Sequence, residues 1–173
     1  MTGPDAGGDH TAGHTGAAAD ASDATAAQVV DGPVRVPPTV RPVLAGRSAA
    51  RERAVHLLYE KAMKGQAAGE VLAGQVLAAD PYATELVSGV EEHLGEVDGI
   101  IASLAPSDWA LDRMATLDLA VMRVATFELA HRPDVPTGVI LAEAVELAEQ
   151  YGTDESPRFV NGLLAAAAER LRA

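Results

Sequence analysis

The densest group of side chains able to do chemistry is a short basic run near residue 50. Residues 47–64 carry five basic and two acidic side chains, and the basic ones are Arg47, Arg51, Arg53, Lys61 and Lys64. Arg47 and Arg51 are four residues apart, so on a helix they share a face and could meet successive phosphates of one nucleic-acid strand. Cations at a helix start oppose the macrodipole, which favours an anionic ligand there. The alternative is an ordinary solvated basic face.

Patterns typical of enzymes and metal sites are weak in this sequence. The chain has no cysteine, which excludes disulfides, thiol nucleophiles and thiolate metal ligands, and it has no glycine-rich phosphate loop. Glu143, Glu146 and Glu149 are interpreted as a solvated helix face. Glu128 and His131 have the spacing of half a carboxylate metal site, but no second such pair accompanies them. We therefore predict no catalytic residue, no cofactor and no metal site.

The residues before the basic run have the composition of a disordered tail. Residues 1–46 contain seven Gly, five Pro and no aromatic residue. Such a segment buries too little apolar surface to offset the entropy of ordering it. The alternative is a binding element in the apolar stretch 34–44. We predict a disordered tail over residues 1–46 and a single helical domain over residues 47–173.

The rest of the chain shows the apolar periodicity of seven helices. Its core must come from Ala, Leu and Val, since aromatic residues make up only 3%, and this composition favours helices over strands. The predicted spans are 48–65 with Ser48 as N-cap, 67–78, 80–95 with Asp80 as N-cap, 97–104, 112–131, 136–152 and 156–171. Ser107 or Asp108 is expected to cap the fifth helix, with Trp109 at its entrance. We predict an all-α compact bundle.

Eight segments follow one another in an order that is more specific than any one of them. They are 51–59 (RERAVHLLY), 82–90 (YATELVSGV), 97–101 (VDGII), 109–114 (WALDRM), 122–129 (MRVATFEL), 135–139 (VPTGV), 143–148 (EAVELA) and 156–164 (SPRFVNGLL). This ordered set resembles the NusB family of transcription antitermination factors over about residues 47–172. The last segment is the most specific.

The resemblance implies a fold and a function. The fold is all-α, with two packed helical subdomains, so residues 47–173 are expected to form a NusB-like RNA-binding domain. Members of the family bind the boxA element of nascent ribosomal RNA together with NusE, the small-subunit ribosomal protein S-ten. The complex modifies RNA polymerase so that it resists premature termination.

The resemblance also assigns residues to the two partners. It implies RNA contacts by Arg47, Arg51, Arg53, Tyr59 and Phe159, and partner contacts by Asp118 and Glu155. From periodicity alone, Tyr59 and Phe159 are predicted to be core residues, and Asp118 fits an ordinary polar position of an amphipathic helix as well as a partner contact.

The charge distribution predicts that RNA binding depends on a partner. Residues 65–173 carry six basic and eighteen acidic side chains, and the whole chain has a net charge of −12. Such a body repels phosphate and attracts a basic ribosomal protein. The leading interpretation is a non-enzymatic RNA-binding adaptor in the cytoplasm. The alternative is a homodimeric protein-interaction module with little RNA binding of its own.

Overall fold

The computed structural model describes residues 41–75, 80–106 and 110–173, with side chains from residue 46 onwards. Regular structure in these ranges is entirely helical, which confirms the predicted fold class. The elements are α1 (Arg41–Lys64), α2 (Ala68–Ala73), α3 (Pro81–Glu92), α4 (Leu94–Leu104), a 3₁₀ turn (Leu111–Arg113), α5 (Thr116–His131), α6 (Thr137–Tyr151) and α7 (Ser156–Leu171). No helix among these residues is long and apolar enough to cross a membrane.

Helix α5 is the central element of the bundle. It packs against α1, α3, α4, α6 and α7, and ten of its sixteen residues are buried. Helices α1, α2 and α3 contact one another and form one group. In a second group, α7 contacts both α4 and α6. Both groups pack on α5, and they also meet directly between α3 and α4 and between α1 and α6, in agreement with two packed helical subdomains.

The predicted helix starts are right at one cap and wrong at another. The Asp80 carboxylate accepts a hydrogen bond from the Tyr82 backbone N–H at 2.8 Å, and Pro81 occupies the first helical position. Helix α1, however, begins at Arg41, so residues 41–46 of the predicted tail are helical. Ser48 is therefore not an N-cap, and its hydroxyl donates to Glu143 at 2.6 Å instead.

Three other boundaries differ from the predicted spans. The span 112–131 is divided, because Met114 and Ala115 are extended and separate the 3₁₀ turn from α5. Helix α2 ends at Ala73, with Gly74 as its C-cap. Pro136 is the N-cap of α6 rather than its first residue. The predicted caps Ser107 and Asp108, together with Trp109, lie outside the described residues.

The end of α5 is held by a side chain from the end of the chain. Arg172 donates hydrogen bonds to the carbonyls of Glu128 (2.7 Å), Leu129 (2.9 Å), Arg132 (2.8 Å) and Val135 (2.5 Å). The last carbonyls of a helix have no partner within it, and a cation there complements the macrodipole. Arg172 thus fixes the turn between α5 and α6.

A glycine in α3 makes room for the largest ring of the core. A Cβ added at Gly89 would lie 2.1 Å from Cζ of Phe127, which is buried on α5. Contacts under 3 Å are repulsive, so α3 can approach α5 this closely only without a side chain at this position.

This close approach predicts opposite effects for two Gly→Ala substitutions. Gly89→Ala should lower the free energy of unfolding by about 1–3 kcal/mol, because Phe127 must be displaced. Gly99→Ala, in α4 with nothing within 4 Å of the added Cβ, should raise it by about 0.5–1 kcal/mol through helix propensity. Urea denaturation measures both, and equal effects at the two sites would contradict the packing argument.

Candidate nucleic-acid interface

The middle arginine of the basic run lies in the protein core. Arg51 is 2% exposed, and its Nε and Nη2 donate to both carboxylate oxygens of Glu128 on α5, at 2.9–3.1 Å. Its Nη1 lies 3.8 Å from the Glu143 carboxylate of α6. Burial opposes the charge, but the hydrogen bonds and charge of Glu128 leave the pKa of Arg51 above its ordinary value. The expected phosphate contact by Arg51 is therefore wrong for this conformation.

Tyr82 on α3 completes this buried site. Its hydroxyl donates a hydrogen bond to Glu128, and burial, followed by this bond, raises the pKa of Tyr82. Three guanidinium groups lie over its ring, at 5.0 Å for Arg47, 5.7 Å for Arg51 and 4.9 Å for Arg132. We refer to Arg51, Glu128 and Tyr82 as the buried charge site.

Arg47 and Arg132 lie at the outer edge of the buried charge site. The Arg47 side chain is 35% exposed and lies 3.5 Å from Asp134. Arg132 donates to Asp134 at 2.9 and 3.0 Å and also pairs with Glu85. The hydrogen bonds from Arg132 lower the pKa of Asp134 to about 2. Asp134 is thus shared, and Arg132 makes the closer contacts with it, so Arg47 is the more available cation.

The remaining cations of the basic run lie along the outer side of α1. Arg53 is exposed and donates to the neutral side-chain amide of Gln75. Lys61 pairs with Glu91, and Lys64 pairs with Glu60 one turn earlier. Arg53 therefore projects its charge to solvent, whereas each lysine is opposed by a carboxylate.

Tyr59 is an exposed residue rather than a core residue. It is 38% exposed, and Met63, one turn further along α1, is 62% exposed. An exposed ring on this helix could stack on an unpaired base, as single-strand recognition requires. The structure thus makes Tyr59 accessible, as its expected role demands.

Phe159 and Glu155 lie at a second surface, beside the start of α7. A groove of about 490 Å³ separates the end of α4 from the first turns of α7, and its lining includes Leu104, Pro106, Phe159 and Leu163, with Glu155 and Arg158 also present. Phe159 is half-buried there and Glu155 is exposed. The structure therefore brings these two predicted residues together, away from the arginines of α1.

Asp118 is not an exposed contact residue. It is 6% exposed, and its Oδ2 accepts a hydrogen bond of 2.8 Å from the Ser156 hydroxyl, at the first residue of α7. Burial raises the pKa of Asp118, and the bond from Ser156 opposes this shift. Asp118 therefore positions the start of α7, and the predicted direct partner contact is wrong in this conformation.

Sequence reasoning missed Tyr82 and Glu128 as members of the buried charge site, and Arg132 at its outer edge. The signal for Glu128 was present, since a carboxylate in the middle of an apolar helix face requires a partner. The partner lies 77 positions earlier in the chain, and no local spacing identifies it.

The fold and its two surfaces define a class of protein. The chain is an all-helical binding protein, with exposed cations and an exposed ring on its first helix and a separate apolar groove beside its last helix.

Comparison with known proteins identifies the family. The NusB family profile matches residues 48–169. The transcription antitermination protein NusB of Kineococcus radiotolerans is 44% identical over 130 residues, which cover 73% of this chain and 95% of that protein. The chain belongs to the NusB family.

Solved structures agree with this assignment. The T. maritima NusB structure superimposes with a TM-score of 0.67 and 29% identity, covering 73% of this chain and 93% of that one. A chain from a structure of antitermination factors NusB and NusE in complex with double-stranded RNA superimposes with a TM-score of 0.64 and 26% identity, covering 73% and 98%.

The burial of Arg51 predicts a large effect on stability. Arg51→Met should lower the free energy of unfolding by about 3–5 kcal/mol, because Glu128 is left charged and unpaired in the core. The double variant Arg51→Met/Glu128→Leu should be much less destabilised than the sum of the single variants.

Lys64→Met is the matched control, since it removes a cation from an exposed ion pair of the same helix and should have little effect. Urea denaturation at pH 7 measures all four variants. If Arg51→Met were no more destabilising than Lys64→Met, the buried charge site would not hold the helices together.

Proposed function

We propose that this chain acts as a transcription antitermination factor that binds boxA RNA of nascent ribosomal transcripts together with NusE, as part of an RNA polymerase antitermination complex. Its membership of the NusB family supports this function, and a relative of known structure has been solved with NusE and double-stranded RNA. The chain acts by binding, without catalysis, in the cytoplasm where the transcript is made.

The RNA contacts come from accessible side chains along α1. Arg47 and Arg53 supply accessible positive charge, and Tyr59 supplies a ring for stacking. The observation that carries the assignment is the accessibility of these three side chains. Arg51, by contrast, is buried and paired with Glu128. Only two arginines of the basic run are thus available to phosphates, so RNA affinity without a partner should be modest.

The partner surface is the groove beside α7. Phe159 and its apolar neighbours suit an apolar side chain of a protein, and the exposed carboxylate of Glu155 suits a basic one. We assign Phe159 to this surface rather than to RNA, since it lies among the apolar side chains of the groove and away from the arginines of α1. A basic ribosomal protein seated here would also add the positive field that the acidic body lacks. By linkage, RNA and NusE then raise each other's affinity by the same factor.

The homodimeric interaction module remains the second candidate, with one observation in its favour. Tyr59 and Met63 are exposed one turn apart on α1 and form a small apolar pair that a second copy could cover. A module of this kind would bind boxA RNA weakly, and NusE would not strengthen that binding, so an RNA titration with and without NusE distinguishes the two functions.

The assignment of α1 predicts a change in salt dependence. Arg47→Ala/Arg53→Ala should weaken binding of single-stranded boxA RNA, in the presence of NusE, and reduce the slope of log K against log salt by about 1.4, which is two phosphate contacts. Fluorescence anisotropy over a range of salt concentrations measures both quantities.

The control removes the same charge elsewhere. Arg113→Ala/Arg170→Ala takes two exposed arginines from outside α1 and should leave the slope nearly unchanged. Equal losses in the two double variants would mean that net charge, and not the α1 surface, determines RNA affinity.

The groove predicts the effect of a blocking substitution. Gly162 lines the groove, and an added Cβ meets nothing within 4 Å, so Gly162→Leu should fold normally and fill the space. NusE binding should fall at least tenfold, as measured by calorimetry. Gly138→Leu is the matched control on α6, where the space around the Cβ is also open. Unchanged NusE binding by Gly162→Leu would contradict this partner surface.

A further inference from the structure

Three potential metal ligands converge where α3 meets α4 and α5 ends. The Glu96 carboxylate oxygen Oε2 lies 3.3 Å from Nδ1 of His93 and 3.3 Å from Nε2 of His131. The three ligand atoms all lie within 4.8 Å of one another. Glu96 and His93 share the α3–α4 junction, whereas His131 is the last residue of α5.

The two separations from Glu96 match the geometry of a bound ion. Zinc lies about 2.0–2.1 Å from imidazole nitrogens and carboxylate oxygens, so tetrahedral ligand atoms are about 3.3 Å apart. The two imidazole rings already lie side by side, with centroids 3.9 Å apart. His93 is 39% exposed, which leaves its ring free to turn towards an ion.

One ligand atom lacks the partner that its burial requires. Nε2 of His131 is buried and has no hydrogen-bond partner, although it lies close to the Glu96 carboxylate. Buried polar atoms are nearly always satisfied, and an unsatisfied one calls for an explanation such as an ion. A cation between His131 and Glu96 would satisfy this nitrogen.

An aromatic ring and three helix ends surround the cluster. Phe127 packs against both imidazoles, with ring centroids 5.2 Å from His131 and 5.9 Å from His93, and shields one side of the cluster. The C-terminal ends of α3 and α5 lie at the cluster and attract positive charge, and the N-terminus of α4, which opposes it, carries the Glu96 carboxylate in its first turn. The neighbouring cation, Arg132, is paired with Asp134 and Glu85.

We propose that His93, Glu96 and His131 form a binding site for a divalent transition-metal ion of the zinc class. Two imidazoles and one carboxylate are a ligand set typical of such ions, and three protein ligands leave a coordination position for water. The bound ion links the α3–α4 junction to the end of α5. This proposal departs from the sequence-based expectation of no metal site, which considered His131 only with Glu128.

Isothermal titration calorimetry with zinc sulfate tests the proposal on the full chain carrying His10→Gln and His14→Gln, which removes the paired histidines near the N-terminus. We expect one zinc ion per chain. Glu96→Gln and His131→Gln, each added to this background, should weaken binding at least tenfold. Zinc should raise the melting temperature of the background protein by several degrees at 100-fold excess over Kd, and that of the Glu96→Gln variant much less.

Two control variants alter similar residues outside the cluster. Glu92→Gln removes an exposed neighbouring carboxylate, and His56→Gln removes a histidine that packs against Tyr151; neither should change zinc affinity. Glu96 is half-exposed, so its variant folds even if His131→Gln does not. The proposal is overturned if the background protein binds no zinc, or if Glu96→Gln binds zinc as tightly as Glu92→Gln does.

Discussion

The arrangement of the bundle depends on one buried ion pair, between Arg51 and Glu128. A charge taken out of water is very costly unless a partner compensates it, so each of these side chains is tolerated only in the presence of the other. Their bidentate contact fixes α1 against α5. The hydrogen bond from the Tyr82 hydroxyl to Glu128 connects α3 to this pair, and the contact between Arg51 and Glu143 connects α6. The core around them consists mostly of aliphatic side chains, whose contacts are not directional and so do little to fix the helix positions. The ion pair supplies directional contacts that Ala, Leu and Val cannot.

The sequence predicted the helices better than it predicted which side chains face the core. Apolar periodicity located all seven helices, and Asp80 with Pro81 predicted the start of α3 because capping is a local interaction. Spacing placed Arg47 and Arg51 on one face of α1, but that face is directed towards α5, and only the distant Glu128 makes its burial possible. Asp118 interrupts an apolar run and so looked like a surface residue, yet it is buried, and Ser156, 38 residues later, donates a hydrogen bond to its Oδ2. Each of these errors involves a polar side chain whose partner is far away in sequence.

Ion pairs within the fold also limit how many cations of α1 are available to bind a ligand. Arg51 stabilises the core, the two lysines of α1 are opposed by carboxylates, and Arg47 shares Asp134 with Arg132. The basic run has five cations in the sequence, but the fold offers only part of that charge to a ligand. In a chain with a net charge of −12, this favours assembly with a basic partner over independent RNA binding.

The contacts of Arg172 impose an order on the completion of folding during synthesis. The carbonyls at the end of α5 and in the following turn receive their hydrogen bonds from a residue about forty positions later. At about 5–20 residues per second, the ribosome needs roughly 2–8 s to add those residues. Until then the end of the central helix is uncapped, and the turn into α6 lacks the guanidinium that holds it. For this interval, most of the core residues of the nascent domain have been synthesised, but the turn between α5 and α6 still lacks its hydrogen bonds from Arg172.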